Sequence, residues 1–185
     1  MNILIITAHP SSSGFTHRIA KVYMQASLAK EHQVEIIDLY NSPRQDFLLF
    51  DNDFNQDQVG IRTFYQDKIT WANELVFVHP MWWGSMPAIM KNWIDVNFAG
   101  GFSHSYKDGK PFGLLTNKQA KVFMTSDAPA FLYWFLAKPF AITWTIIILG
   151  FVGIKVKNVW LYGNKRKRTE SQNLQFLESV KSTLR

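Results

Sequence analysis

Uninterrupted apolar runs recur along the chain, separated by stretches that carry apolar residues at helical spacing. "NILIITA" (residues 2–8) has the continuous hydrophobicity of a strand buried on both faces. A Ser/Gly-rich turn follows, and then a helical pattern from Thr16 to Lys30. "QVEIIDLY" (33–40) reads as a second strand. Residues 41–60 are polar and irregular, with a helix predicted over Val59 to Asn73. "ELVFVHP" (74–80) is the third strand, and residues 87–97 are helical with Pro87 in the first turn, where a missing N–H is harmless. Residues 100–113 read as loop, and "QAKVFMTS" (119–126) as the fourth strand. Residues 129–150 read as mostly helical with an interruption at Pro139. "NVWLYG" (158–163) is the fifth strand, and a closing helix runs from Thr169, a plausible N-cap, to Leu184.

Strands that alternate with helices pair in parallel through crossover connections. The expected fold is α/β, one doubly wound five-stranded parallel sheet over residues 1–185, with flavodoxin-like order 2-1-3-4-5 or the dinucleotide-binding order. No repeat, linker or low-complexity segment divides the chain.

Composition narrows this picture. The 185 residues are 47% hydrophobic and 18% charged, as in a globular protein. The absence of cysteine excludes disulfides, thiolate chemistry and cysteine-based metal sites. The N-terminus has no basic leader, so a cytoplasmic location is expected. The uncharged stretch 139–154 is too short to span a bilayer and reads as a buried or interface helix. Net charge is +6, much of it in "NKRKRTE" (164–170), which reads as a solvated loop and matches no nucleic-acid motif.

In such a sheet, ligands sit beyond the carboxyl ends of the strands near the switch in strand order. Three loops meet there. "AHPSSSGFTHR" offers hydroxyls and free backbone N–H groups before a helix, suited to a phosphate or simply to capping. It lacks G-x-G-x-x-G. "HPMWWGSMP" places two indoles and unpaired backbone groups at the mouth; these indoles either border a planar ligand or plug a core or dimer contact. "TSDAPAFLYW" supplies further hydroxyls, with Tyr133 one turn into the next helix. A phosphate-sized anion site beside a flat cavity suggests a phosphorylated aromatic cofactor, and flavin mononucleotide meets that description. The five histidines lack metal-binding spacing, and no G-x-S-x-G elbow marks a hydrolase.

"ILIITAHPSSSGFTHRIA", "VFVHPMWWGSMPAIMKNWID", "GGFSHSY" and "MTSDAP" together resemble the flavodoxin-like NAD(P)H:quinone oxidoreductases, the group of DT-diaphorase, the modulators of drug activity and the potassium-efflux ancillary proteins. The resemblance implies FMN, with FAD as the alternative, and NAD(P)H as co-substrate for ping-pong, two-electron reduction of quinones or similar small-molecule acceptors. It puts His9, Ser11, Ser13, Phe15 and Thr16 on the flavin phosphate and ribityl chain. Pro80, Met81, Trp82, Trp83 and Gly84 fall along the isoalloxazine, and Thr125, Ser126, Asp127 and Ala128 along its pyrimidine side. It also implies a homodimer, with His104 and Tyr106 over the partner's site. Two departures from the mammalian members stand out. Asp127-Ala128 replaces paired glycines, and the histidine expected about two turns after Tyr133 is missing, which leaves Tyr133 or backbone N–H groups to stabilise reduced flavin. The rival readings are a regulatory flavoprotein docking on a membrane protein and a one-electron carrier, which is typically acidic where this chain is basic.

Overall fold

The computed structural model describes residues 1–48, 56–128, 132 and 139–184. Five strands form one parallel sheet: β1 (Asn2–Thr7), β2 (Gln33–Asp38), β3 (Glu74–Pro80), β6 (Gln119–Thr125) and β7 (Lys155–Tyr162). Their order is β2-β1-β3-β6-β7. Counted without the separate hairpin, this is the flavodoxin-like 2-1-3-4-5 order.

The apolar runs follow from burial on both faces. Along β1, Leu4 and Ile6 face one core cluster with Leu75, Phe77, Val122 and Met124. Ile3 and Ile5 face the other with Val76, Val78 and Phe123. Helices α1 (Phe15–Leu28) and α4 (Glu170–Ser182) cover the second face, and α2 (Gln56–Trp71) and α3 (Ala88–Asn97) the first. Thr169 caps α4 in a reciprocal box: its hydroxyl accepts from Gln172 N at 3.3 Å, and its own N–H donates to Gln172 Oε1 at 3.0 Å. Arg18 of α1 grips Glu170 through Nη2 and Nη1, at 2.6 and 3.2 Å, joining the two helix N-termini.

Four expectations need adjustment. Residues 100–113 are not plain loop. They contain the antiparallel hairpin of β4 (His104–Lys107) and β5 (Lys110–Gly113). Its turn is Asp108-Gly109 with φ +54° and +73°, the dipeptide and backbone signs of a tight hairpin turn. The fifth sheet strand starts at Lys155 and not at Asn158, because a bulge opposite Ala120/Lys121 lets polar residues of this edge strand continue the ladder. Pro87 precedes α3 as its N-cap, with extended ψ of 145°. The helix expected over 129–150 lies in part outside the described residues. Its described stretch from Pro139 on passes into a π-helical segment, Thr143–Ile148.

At the amino ends of the strands, Glu74 and Lys121 form a buried ion pair at 3.2 Å. Tyr23 donates to Glu74 and accepts from Lys121 at 2.7 Å, and Gln119 donates to Glu74 at 2.9 Å. Burial and the Glu74 charge push the Tyr23 hydroxyl pKa upward. This cluster ties α1, β3 and β6 together at the end of the sheet away from the loops that follow the strands. No helix among the described residues is long and apolar enough to cross a membrane.

Candidate functional site

Beyond the carboxyl ends of β1, β3, β6 and β7 lies a cleft of about 650 Å³, within the usual size range of a small-molecule site. The loop after β1 contributes His9, Ser11 and Gly14, with Phe15 and Thr16 from the start of α1. His9 Nδ1 lies 3.0 Å from the backbone N of Ser11 and 3.1 Å from its carbonyl O, which holds the ring against this loop. Gly14 fits against this ring: a Cβ there would come within 3.0 Å of His9 Cε1 and Nδ1. Gly14 is also the N-cap of α1 and has no side chain to satisfy the first-turn N–H groups. Ser13 does not line the cleft, but its hydroxyl lies 3.1 Å from that of Ser11. Thr16 and Thr125 join their buried hydroxyls at 3.1 Å and clasp α1 to β6.

The loop after β3 contributes Pro80, Met81, Trp82, Trp83 and Gly84. Met81 N donates to Thr125 O at 2.7 Å, which extends the pairing of β3 with β6 by one bond. Trp82 and Ser85 then exchange backbone bonds at 2.8 and 2.9 Å across a two-residue turn. Its central residues Trp83 and Gly84 have φ of +51° and +68°. Trp82 is 40% exposed, with its ring 6.3 Å from that of His9, and Trp83 is fully exposed. Neither indole fills the cleft; they border it.

Beneath this loop His79 is wholly buried against Trp144 and Phe140. Its Nδ1–H donates to Pro80 O at 2.8 Å, and Nε2 has no partner among the described residues. Burial in this aromatic box lowers its pKa to about 4, so the ring is neutral. A second buried histidine, His17, donates Nε2–H to Asp38 at 3.1 Å behind the first loop.

Thr125, Ser126, Asp127 and Ala128 line the third side. The fourth side was not expected. Lys165 and Arg166, in the 3₁₀ turn Lys165–Lys167 after β7, also line the cleft. Arg166 Nε lies 2.9 Å from Asp127 Oδ2, and its backbone N donates to Oδ1 at 3.0 Å. Lys165 N donates to Ser126 O at 3.0 Å. The basic run is therefore a wall of the site and not a remote solvated loop.

Two of the expected catalytic residues lie elsewhere in the chain's own structure. His104 and Tyr106 sit on β4, where the His104 ring contacts Phe151 at 5.0 Å, and they do not line this cleft. Tyr133 lies outside the described residues. Gly14, Lys165 and Arg166 are the lining residues that sequence reasoning missed. The serine loop itself was a signal for Gly14. No local signal marked the two cations, because only the order of β6 and β7 brings them in.

A parallel sheet of this order, with its cleft across the strand ends, defines a flavodoxin-like protein. The family model described as a flavodoxin-like fold matches residues 1–184. The chain belongs to the flavodoxin-like NAD(P)H:quinone oxidoreductase family. It is 35% identical to an uncharacterised NAD(P)H oxidoreductase of Haemophilus influenzae over 129 residues, 68% of this chain and 64% of that protein. It is 28% identical to the FMN-dependent NADH:quinone oxidoreductase of Geobacillus kaustophilus, over 64% of this chain and 65% of that one. The chain thus spans less than two thirds of these curated relatives. A crystal structure from Streptococcus mutans superposes with a TM-score of 0.85 at 32% identity, covering 99% of this chain and 98% of the other.

Proposed function

We propose that this chain is a flavin-dependent, two-electron reductase of quinones or related acceptors, with FMN as its cofactor and NAD(P)H as reductant. The observation that carries the reading is the cleft itself: the hydroxyl-rich loops after β1 and β6 and the indole-bearing loop after β3 converge on one cavity bordered by exposed indoles. The residues suit FMN. Ser11, Thr16 and the uncapped N–H groups at the start of α1 would hold the phosphate, with Ser13 supporting the Ser11 hydroxyl from outside the lining, and the close contact of Gly14 with His9 keeps that cradle open. Pro80 to Gly84 would border the ring, and Thr125 to Ala128 its pyrimidine side. The name of the Geobacillus kaustophilus relative accords with this assignment.

A bound flavin would supply the two-electron redox chemistry that links NAD(P)H oxidation to reduction of a quinone to its hydroquinone, the balancing proton coming from solvent. The protein's part is binding, orientation and electrostatics. Trp82 and the Trp83–Gly84 turn offer a flat apolar border against which a nicotinamide or quinone ring is positioned in turn. The neutral His79 braces Pro80 O from below and keeps a charge out of the floor of the site. A single shared cleft accounts for ping-pong turnover. We further place the enzyme in the cytoplasm as a homodimer, in which His104 and Tyr106 reach the partner's site. The exposed apolar side chains Ile142, Ile146, Ile147 and Phe151, beside the hairpin, support that pairing. The membrane-docking alternative has no observation in its favour.

The test is direct. The purified protein should be yellow, release FMN by mass, and reduce quinones with NADH or NADPH along parallel double-reciprocal lines. A colourless protein that takes up neither FMN nor FAD would overturn the proposal.

A further inference from the structure

The carboxylate of Asp127 is out of place on the edge of a cleft meant for a flavin. NAD(P)H delivers two electrons and one proton and leaves as NAD(P)+, so a bound flavin gains one negative charge until a second proton arrives from solvent. A carboxylate along the pyrimidine side opposes that charge.

The basic turn answers it. Both oxygens of Asp127 are engaged by Arg166, and each contact does something different. The backbone N–H, 3.0 Å from Oδ1, fixes the turn against the loop after β6. The guanidinium, with Nε 2.9 Å from Oδ2, cancels the charge. Lys165, on the same wall, adds a further cation. We infer that the Asp127–Arg166 pair sets the redox balance of the cleft, the arginine offsetting a carboxylate that would otherwise disfavour the reduced cofactor. This rests on the flavin reading above.

Exposure bounds the effect. The Arg166 side chain is 82% exposed and that of Asp127 46%, so water screens both charges. The expected change in the ratio of reduced to oxidised FMN affinity is about threefold to tenfold, which for a two-electron couple is about 15–30 mV.

The experiment uses FMN-loaded full-length protein and reads the midpoint potential by dye equilibration, together with the Kd of oxidised FMN. Arg166→Gln keeps the backbone bond and removes only the charge; it should lower the potential by that amount. Asp127→Asn keeps an acceptor at Oδ1 and should raise it. The double variant should return close to the wild-type value. Lys167→Gln, which removes a cation of the same turn outside the cleft lining, should shift the potential by less than Arg166→Gln does. Full flavin uptake with unchanged potentials in both single variants would overturn this inference alone, as would an equal shift from Lys167→Gln. Failure of the wild-type protein to take up flavin would overturn it together with the reading beneath it.

Discussion

Trp83 holds a backbone angle that bulky residues seldom adopt. Its φ of +51° lies in the left-handed region, where a side chain with a Cβ is crowded against its own carbonyl. Nothing in the chain's own core repays this, because the indole is fully exposed. Strain retained at the mouth of a cleft points to a task for the side chain there. Trp83→Asn, which tolerates this angle, should therefore stabilise the protein by about 0.5–1 kcal/mol, while weakening affinity for flavin or acceptor. Urea denaturation and FMN titration read the two effects, and a loss of stability would mean that the indole packs where its exposure says it does not. His79 carries a second prediction. Its pKa of about 4 in the fold lies below the ordinary value near 6.5. The unfolded chain therefore binds a proton that the folded one refuses, and stability present above pH 6.5 drains away as pH falls toward 4. The full difference is about 3 kcal/mol. Carboxylates titrate near the lower end of this window, so the comparison is with His79→Gln, which retains a donor for Pro80 O but does not titrate. Unfolding free energies measured between pH 7 and pH 4.5 should fall less steeply in the variant.

Among the elements, Gly113 shows how tightly the hairpin is docked. A Cβ there would lie 2.2 Å from the carbonyl carbon of Val152 and 2.3 Å from Gly153 N. Both are backbone atoms, so no rotamer change relieves the clash. Gly113→Ala should cost about 3 kcal/mol or lift the hairpin away. FMN uptake per folded molecule should persist, because no residue of β4 or β5 lines the cleft; differential scanning fluorimetry beside flavin content separates the two. This hairpin was misread in the sequence for a physical reason. Its strands, "HSYK" and "KPFG", are short and polar, so they lack the continuous apolar signature that made β1, β3 and β6 legible. A signal was nonetheless present in Asp108-Gly109. The site divides similarly. His9, the Trp82–Gly84 turn and Thr125 to Ala128 were readable because each ends a strand or opens a helix. Lys165 and Arg166 were not, since Arg166 meets Asp127 across 39 residues through a strand order that no local pattern encodes.

At the scale of the whole molecule, the exposed apolar residues are unevenly distributed. Ile146 and Ile147 are 65% and 61% exposed in the π-helical segment, with Ile142 and Phe151 on either side. The hairpin adds Tyr106 and Phe112, and the His104–Phe151 contact joins the two groups into one band. Exposed apolar side chains grouped in this way support the proposed pairing of two chains. In the proposed homodimer this band is the seam, and it would carry Tyr106 toward the partner's cleft. Burying two isoleucines on association contributes about 3–6 kcal/mol, equivalent to about 10²–10⁴ in Kd. Replacing both with lysine forfeits that gain and sets charges of one sign on each side of a two-fold seam. Ile146→Lys/Ile147→Lys should therefore sediment as a monomer at micromolar concentration while the wild-type chain sediments as a dimer. Each monomer retains the whole set of cleft-lining loops, so FMN binding should survive within a fewfold. Quinone turnover should fall further than FMN affinity, because the partner's hairpin no longer covers the ring. Unchanged sedimentation would move the interface elsewhere; a monomer with undiminished turnover would free the reaction from any need for a second chain.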